Sequence, residues 1–211
     1  MNSISVCIIA KNEEHNISRC INSVLDIANE IILVDTGSTD NTISIAKQFD
    51  KVKVINHQWN NNYSQARNIA LNNSISDYSL VLDADEELTS QSKKYILTSL
   101  DTLKDNQIIR AKYINLNPYS LNKFHYKSTL FKNNKGIKYH GVAHDLPIID
   151  NAVYINSDNI VVNHYNGTSK EFLKQKALNN IQIMESELNK NISKEDKAYY
   201  LNHLAESYHF L

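Results

Sequence analysis

The sequence of 211 residues is long enough for one large domain, or for a domain with a small appendage. Its 22 Lys and Arg nearly balance 23 Asp and Glu, and this gives no electrostatic reason to expect a nucleic acid as partner. No apolar run is long enough for a membrane span and no signal peptide pattern opens the chain, so we expect a cytoplasmic protein.

Strand-like segments alternate with helix-like ones in the first half of the chain. The helices are expected to include one capped by Asn12 and one capped by Ser64. Cys7 and Cys20 lie in apolar surroundings typical of reduced core residues. The strand-like segments are residues 4–10, 30–34, 52–55 and 78–82. This alternation predicts a mostly parallel sheet of βαβ units, and the glycine patterns of dehydrogenases and P-loop proteins are absent.

In the second half, short apolar segments separated by polar loops predict shorter strands, which would complete the sheet and line an acceptor cleft. They are expected near residues 108–114, 126–131, 137–139, 153–155 and 160–162, after a helix near 89–100. A capping-box pattern from Thr168 to Glu171 then predicts a long helix with its apolar positions between Leu173 and Leu188. A last helix is expected over 194–211, with Leu201, Leu204, Ala205 and Tyr208 on one face.

Four acids follow the apolar segment 78–82 within five residues. In open α/β sheets, ligands bind at the carboxyl ends of the strands. Asp83 and Asp85 can hold Mg²⁺ or Mn²⁺ there, because both ions prefer oxygen ligands, and the ion can bind a diphosphate. The alternative is that the acids cap the next helix.

Four motifs in a fixed order carry a family resemblance. They are residues 9–14 (IAKNEE), 34–42 (VDTGSTDNT), 66–68 (ARN) and 82–86 (LDADE). In this order and at this spacing they resemble the family-2 glycosyltransferases with the A-type fold, over about residues 3–165. Two further segments, 139–145 (YHGVAHD) and 161–165 (VVNHY), resemble bacterial members that carry tetratricopeptide repeats. Those members include sublancin-type S-glycosyltransferases, flagellin-type glycosyltransferases and lipopolysaccharide-core glucosyltransferases.

The resemblance implies a Rossmann-like, mostly parallel sheet flanked by helices. It implies a catalytic domain over residues 1–166 and a helical extension over 167–211, which resembles the start of a tetratricopeptide-repeat region. The implied reaction is the inverting transfer of glucose or N-acetylglucosamine from a UDP-sugar. A protein or peptide side chain is the expected acceptor, with lipopolysaccharide or another glycan as the alternative, and the C-terminal helices could form a homo-oligomer.

The resemblance also implies roles for individual residues. The donor nucleotide is expected to contact Asp35 through its uridine, Arg67 through its diphosphate, and Asp83 through ribose or a metal-bound water. The base would lie near Ala10, Lys11 and Glu13. Each of these residues also has a simpler interpretation: Asp35 as a helix cap, Arg67 in a surface ion pair, and Lys11 and Glu13 as solvated charges.

The resemblance assigns the metal ligands and the general base to residues of the later motifs. Asp85 is expected to bind Mn²⁺ or Mg²⁺, while His144 and His164 compete for the remaining place, with His164 favoured by the resemblance. Asp145 is the expected general base, in place of the Glu common in relatives, and its alternative is a turn acid before Pro147. A nucleotidyltransferase and an inactive sugar-nucleotide sensor remain as other classes.

Overall fold

The computed structural model describes residues 2–120, 122–133, 135–165 and 169–209. Its first half alternates strands and helices as expected. These elements are β1 (Ile4–Ala10), α1 (Ile17–Val24), β2 (Glu30–Asp35), α2 (Thr42–Ala46), β3 (Val52–Asn56), α3 (Tyr63–Asn72) and β4 (Tyr78–Asp83).

The described residues of the second half add strands and helices of unequal length. These elements are β5 (Glu86–Leu88), α4 (Ser90–Ser99), β6 (Gln107–Asn115), β7 (Phe124–Lys132), β8 (Lys138–His140), β9 (Leu146–Ile148), β10 (Val153–His164), α5 (Lys170–Leu188) and α6 (Lys194–His209). Strands β5, β8 and β9 are as short as expected, whereas β6, β7 and β10 are longer than predicted. The expected cap Thr168, the boundary at 166/167 and the last two residues of the expected final helix lie outside the described residues. Ser169 caps α5, and its Oγ accepts a hydrogen bond from the Phe172 N–H at 3.0 Å.

Within the described parts of the chain, eight strands form one sheet in the order β3-β2-β1-β4-β7-β6-β10-β5. The first four of these are parallel, which confirms the βαβ prediction. Strand β7 is antiparallel to both β4 and β6, β10 is parallel to β6, and β8 pairs with β9 in a separate small sheet. The carboxyl ends of β1, β2 and β4 therefore lie side by side, and the loops that follow them can form one site.

Helices cover both faces of the parallel strands. Successive side chains of a strand point to opposite faces, so Ile8 packs on the α1 side while Cys7 packs on the α3 side. Both cysteines are buried and free, as expected. Burial on both faces explains why these strands appear in the sequence as continuous apolar runs.

Two predicted helix caps are wrong. Helix α1 begins at Ile17, and Asn12 instead has a φ of +56° and accepts a hydrogen bond from the Thr39 N–H at 2.8 Å. Helix α3 is capped by Asn62, whose Oδ1 accepts from the Gln65 N–H at 2.9 Å. The Ser64 hydroxyl donates instead to the Gly141 carbonyl and ties α3 to the segment that precedes Asp145.

The acids after β4 are not a simple loop. Residues Glu86–Leu88 form strand β5, which pairs with the end of β10 and places Glu86 opposite His164. The two short strands expected at 153–155 and 160–162 are one strand, β10, whose register shifts between Ser157 and Val161. Pairing across the sheet, rather than local sequence, determines both features.

The C-terminal helices pack against each other and against the segment around Val142. The apolar positions of α5 are buried as predicted, at Leu173, Ala177, Ile181 and Met184. The predicted face of α6 is partly wrong, because Leu204 is buried but Leu201 and Tyr208 are each 52% exposed. Tyr200 is buried instead, and its hydroxyl accepts a hydrogen bond from the Val142 N–H at 3.3 Å. Among the described residues, no helix is both long and apolar enough to cross a membrane.

Candidate active site

A cleft of about 1080 Å³ lies at the carboxyl ends of β1 and β4. Helix α5 forms its opposite wall with polar side chains, among them Gln175, Lys176 and Asn179. The sheet side of the cleft contains every predicted site residue except Asp35: Ala10, Lys11, Glu13, Arg67, Asp83, Asp85, Asp145 and His164. The fold therefore brings together residues that are widely separated in the sequence.

Asp35 lies at the end of β2, beside Thr36, which lines the cleft. Its side chain is buried, and its Oδ2 accepts hydrogen bonds of 3.0 Å from the N–H groups of Gly37 and Ser38. It does not cap the next helix, because Asp40 accepts the hydrogen bond from the Thr42 N–H. The Oδ1 atom of Asp35 is buried and has no hydrogen-bond partner among the described residues. A buried carboxylate oxygen in that state is available to a donor on a ligand.

The first strand ends beside this carboxylate. The Ala10 carbonyl accepts a hydrogen bond from the Thr36 N–H at 2.9 Å, which joins the ends of β1 and β2. Lys11 is exposed at the mouth of the cleft, whereas Glu13 is half-buried and accepts a hydrogen bond from the Asn16 side chain at 2.8 Å. Partial burial raises the pKa of Glu13 above its usual value. Glu13 is thus more than a solvated charge.

Arg67 connects two of the predicted carboxylates. Its Nε lies 2.8 Å from Oδ2 of Asp145, and its Nη1 lies 2.8 Å from Oδ1 of Asp83, although the second pair is not aligned for a hydrogen bond. The side chain of Arg67 is only 7% exposed, so the surface ion-pair interpretation is wrong. Asp145 is bound to this guanidinium and is buried in the cleft.

Lys127 and Glu86 were not predicted as site residues. The Nζ of Lys127 lies 2.6 Å from Oδ2 of Asp83 and 2.7 Å from Oε1 of Glu86. Glu86 also accepts a hydrogen bond from the Asp83 N–H at 2.6 Å. Successive side chains of β7 point to opposite faces of the sheet, so Lys127 lies on the same face as the buried Thr129. This spacing is the sequence signal from which a buried Lys127 could have been predicted.

The three carboxyl groups differ in how their surroundings shift their pKa values. Burial alone would raise the pKa of Asp83, but the charges of Arg67 and Lys127 hold it well below its usual value. Burial raises the pKa of Asp145, and Arg67 offsets only part of that effect. Burial and the nearby charge of Asp83 likewise raise the pKa of Glu86. The surroundings therefore favour the ionised form of Asp83, while the raised pKa of Asp145 makes it the stronger base of the two.

A possible cation site lies next to this network. Ligand atoms of Asp85, Glu86 and His164 lie within 4.8 Å of one another, and Oδ2 of Asp85 is 3.4 Å from Nε2 of His164. The other ring nitrogen of His164 is 3.0 Å from Oδ1 of Asn115, which orients the imidazole. A carboxylate with an imidazole fits Mn²⁺, and carboxylates alone fit Mg²⁺. Glu86 already binds Lys127, so Asp85 and His164 are the available ligands.

His144 does not compete with His164 for this place. Its ring stacks on His203 of α6, with the ring centroids 4.5 Å apart and the ring planes 3° from parallel. The backbone of His144 has a φ of +56°, which is uncommon for a residue with a side chain. Among the described residues, the group around Asp85 contains His164 and not His144.

Comparisons with known proteins agree with this architecture. The SPbeta prophage-derived glycosyltransferase SunS of Bacillus subtilis strain 168 is 31% identical over 192 residues, which cover 88% of this chain and 45% of SunS. An uncharacterized glycosyltransferase of Rickettsia felis is 33% identical over 213 residues, covering 93% of this chain and 72% of that protein. The chain thus spans less than half the length of SunS.

A solved structure shares the fold. The crystal structure of S. aureus TarS 1-349 in complex with UDP-GlcNAc superposes with a TM-score of 0.55 at 17% identity, covering 99% of this chain and 72% of that one. The sequence model described as "Glycosyl transferase family 2" matches residues 5–156, which include every predicted site residue except His164. The chain belongs to glycosyl transferase family 2.

Proposed function

We propose that this chain carries the catalytic domain of a metal-dependent, inverting glycosyltransferase. It moves glucose or N-acetylglucosamine from a UDP-sugar to a protein or peptide side chain. One observation carries the proposal: Asp83, Asp85, His164 and Asp145 face a single cleft, with the carboxyl ends of β1 and β4 on one side and helix α5 on the other. The relative SunS is a glycosyltransferase by name, and TarS was crystallised with UDP-GlcNAc.

The donor nucleotide would lie along the ends of β1, β2 and β4. The unpartnered Oδ1 of Asp35 can accept a hydrogen bond from the uracil N–H, while Ala10, Lys11 and Glu13 border the base. Asp83 is held ionised by Arg67 and Lys127, so it can accept hydrogen bonds from the ribose hydroxyls. These contacts would place the diphosphate beside Asp85.

Asp85 and His164 would hold Mn²⁺ or Mg²⁺. The ion, when bound, supplies positive charge that stabilises the departing nucleoside diphosphate. Asn115 fixes the imidazole of His164, and Lys127 neutralises Glu86, so neither neighbour needs to move when the ion arrives. Lys176 on α5 faces the same cleft and adds a further positive charge near the diphosphate.

Asp145 would act as the general base. It removes the proton from the acceptor nucleophile, which attacks the anomeric carbon while the bond from that carbon to the UDP oxygen breaks. A single displacement inverts the configuration, and no second carboxylate nucleophile is needed. Burial raises the pKa of Asp145, which improves its basicity, and Arg67 fixes its orientation.

The acceptor is proposed from the resemblance to S-glycosyltransferases and from the shape of the cleft. Along α5, amide and charged side chains line the cleft together with the apolar Phe172 and Ile183, and such a mixed wall suits an extended polypeptide. The alternative is a lipopolysaccharide or another glycan acceptor, which the same hydrogen-bonding groups can also bind.

The direct test is UDP release from a panel of nucleotide sugars, with Mn²⁺, with Mg²⁺ and with a chelator. Peptides with Ser, Thr or Cys and a lipopolysaccharide core serve as acceptors. We expect release from UDP-glucose or UDP-N-acetylglucosamine, dependent on metal and increased by a peptide. Binding of UDP without release under any of these conditions would support the inactive sensor instead. Release stimulated only by the lipopolysaccharide core would identify the glycan alternative.

A further inference from the structure

A second group of metal-ligating side chains lies apart from Asp85 and His164. His203 and Glu206 are one turn apart on α6, with Nδ1 of His203 3.0 Å from Oε2 of Glu206. His144, in the segment between β8 and β9, stacks on His203. Ligand atoms of the three residues lie within 4.8 Å of one another. The group joins the segment that carries Asp145 to the C-terminal helix.

We propose that His144, His203 and Glu206 bind a transition metal ion, with Zn²⁺ as the best match. Two imidazoles and one carboxylate form a common zinc ligand set, and a tetrahedral ion would keep its fourth position for water. Ligand atoms around such an ion lie about 3.3 Å apart. The two imidazole rings are parallel, so both rings and the Glu206 side chain must turn, moving their ligand atoms by about an ångström, before all three point at one ion. Glu206 is exposed and can make this adjustment without disturbing the core.

The local backbone and ring contacts hold His144 and His203 next to each other. His144 has a positive φ, a conformation that persists only where its surroundings enforce it. The Tyr199 hydroxyl donates to the His144 carbonyl, and the Tyr199 ring packs edge-on against His203 at 4.5 Å.

A metal ion here would strengthen an existing connection between α6 and the segment 140–145. Nε2 of His140 lies 2.7 Å from Oδ1 of Asp196 on α6. Gly141 has a φ of +95°, and a Cβ at that position would lie 3.3 Å from the ring of Tyr199. Asp145 follows His144 directly, so an ion bound at His144 would restrict the backbone that positions the proposed base.

The test uses Co²⁺ as a spectroscopic probe for zinc, on full-length protein freed of any affinity tag. All variants are made in the Asp85→Ala protein, because this substitution removes the cation site proposed for donor binding. We expect one Co²⁺ to bind with visible absorption bands of a four-coordinate ion, and Zn²⁺ to displace it. In this background His203→Ala should weaken binding at least tenfold. His15→Ala, an exposed histidine far from α6 in sequence, should leave it unchanged.

A second variant and a second measurement guard against misfolding. Glu206→Gln changes an exposed side chain and should also weaken Co²⁺ binding, with an unchanged circular dichroism spectrum. Zn²⁺ should raise the melting temperature of the Asp85→Ala protein but not that of Asp85→Ala with His203→Ala. The proposal is overturned if Asp85→Ala binds no Co²⁺, or if it binds Co²⁺ equally well after both substitutions on α6.

Discussion

The guanidinium of Arg67 lies 2.8 Å from the carboxylate of Asp145, and both side chains are almost completely buried. The same guanidinium reaches Asp83, on the proposed donor side of the cleft. Arg67 therefore holds together an anion proposed for donor binding and an anion proposed for catalysis. Its fixed charge allows the two carboxylates to lie close together in one cleft.

Removing Arg67 should destabilise the protein. In Arg67→Met, Asp145 loses its paired charge and Asp83 keeps only Lys127, so we expect a loss of about 3–5 kcal/mol in the free energy of unfolding. Urea denaturation measures this loss. Lys174→Met, on the exposed face of α5, is the matched control and should stay within about 0.5 kcal/mol of the parent protein. A similarly small change for Arg67→Met would show that the network contributes little.

The parts that could be predicted from sequence are those with local signals. Strands β1 and β4 are buried on both faces, so they are recognisable in the sequence as apolar runs. The acids after β4 could be assigned to a binding site because the carboxyl ends of parallel strands meet at one edge of the sheet. Strand β5 could not be predicted, because its three residues, two of them Glu, form a strand only by pairing with β10. The resemblance, more than the pattern, indicated Asp145 and His164.

The missed residues depend on contacts between distant segments. Lys127 becomes a site residue only when β7 inserts beside β4 and brings its Nζ to Asp83. His144 and His203 meet only because α6 packs on the segment after β8. No pattern within either segment indicates the other. Long-range pairing and helix docking, rather than propensity, therefore determine this part of the site.

Asp85→Ala should remove metal-dependent binding of UDP. Asp85 and His164 are the proposed ligands, and neither a core side chain nor the Arg67 network is changed by this substitution. We expect UDP binding that no longer responds to Mn²⁺, measured by calorimetry, with an unchanged melting temperature. Glu87→Gln is the control, since Glu87 lies two residues further on and binds Tyr165 instead. An undiminished response to Mn²⁺ in Asp85→Ala would rule out this metal assignment.

Asp35→Asn should weaken UDP binding. The remaining amide oxygen can still accept from Gly37 and Ser38, while the new NH₂ group faces the position proposed for the uracil N–H and repels it. A lost charge-assisted hydrogen bond corresponds to roughly 1.5–3 kcal/mol, or about a 10- to 100-fold increase in Kd. Asp50→Asn, at an exposed position, should leave the Kd unchanged. Tighter binding of GDP or CDP than of UDP to the parent protein would refute the uridine assignment.

The stability of the protein should decrease in mild acid because of His125. Burial, followed by the charges of His164 and Lys127, lowers the pKa of His125 to about 4 in the fold, against about 6.5 when unfolded. The unfolded state therefore binds more protons below pH 6.5, and stability is lost as the pH falls from about 6.5 to about 4. The loss is at most roughly 3 kcal/mol, because water still screens part of the ring. In His125→Gln, urea denaturation should show a flatter pH profile, and an identical profile would contradict this cause.

The last prediction concerns the proposed base. Asp145→Asn keeps the size of the side chain and an oxygen that can accept from Arg67 but removes its basicity. We expect unchanged binding of UDP and Mn²⁺ and a loss of transfer of roughly 10²–10⁴-fold, the usual contribution of a positioned base. Asp145→Glu should retain measurable transfer, because it restores a carboxylate with only one more methylene group. Initial rates with a saturating donor measure both variants.

The nature of the acceptor gives this prediction a further test. A cysteine thiol is already partly ionised at neutral pH, whereas a serine hydroxyl is not, so a base contributes less to attack by sulfur. The loss in Asp145→Asn should therefore be smaller for a Cys peptide than for a Ser peptide of otherwise identical sequence. The Cys peptide should also regain part of its rate as the pH rises towards the thiol pKa. If Asp145→Asn transfers sugar to both peptides at the parental rate, Asp145 is a structural partner of Arg67, and another residue in the cleft removes the proton.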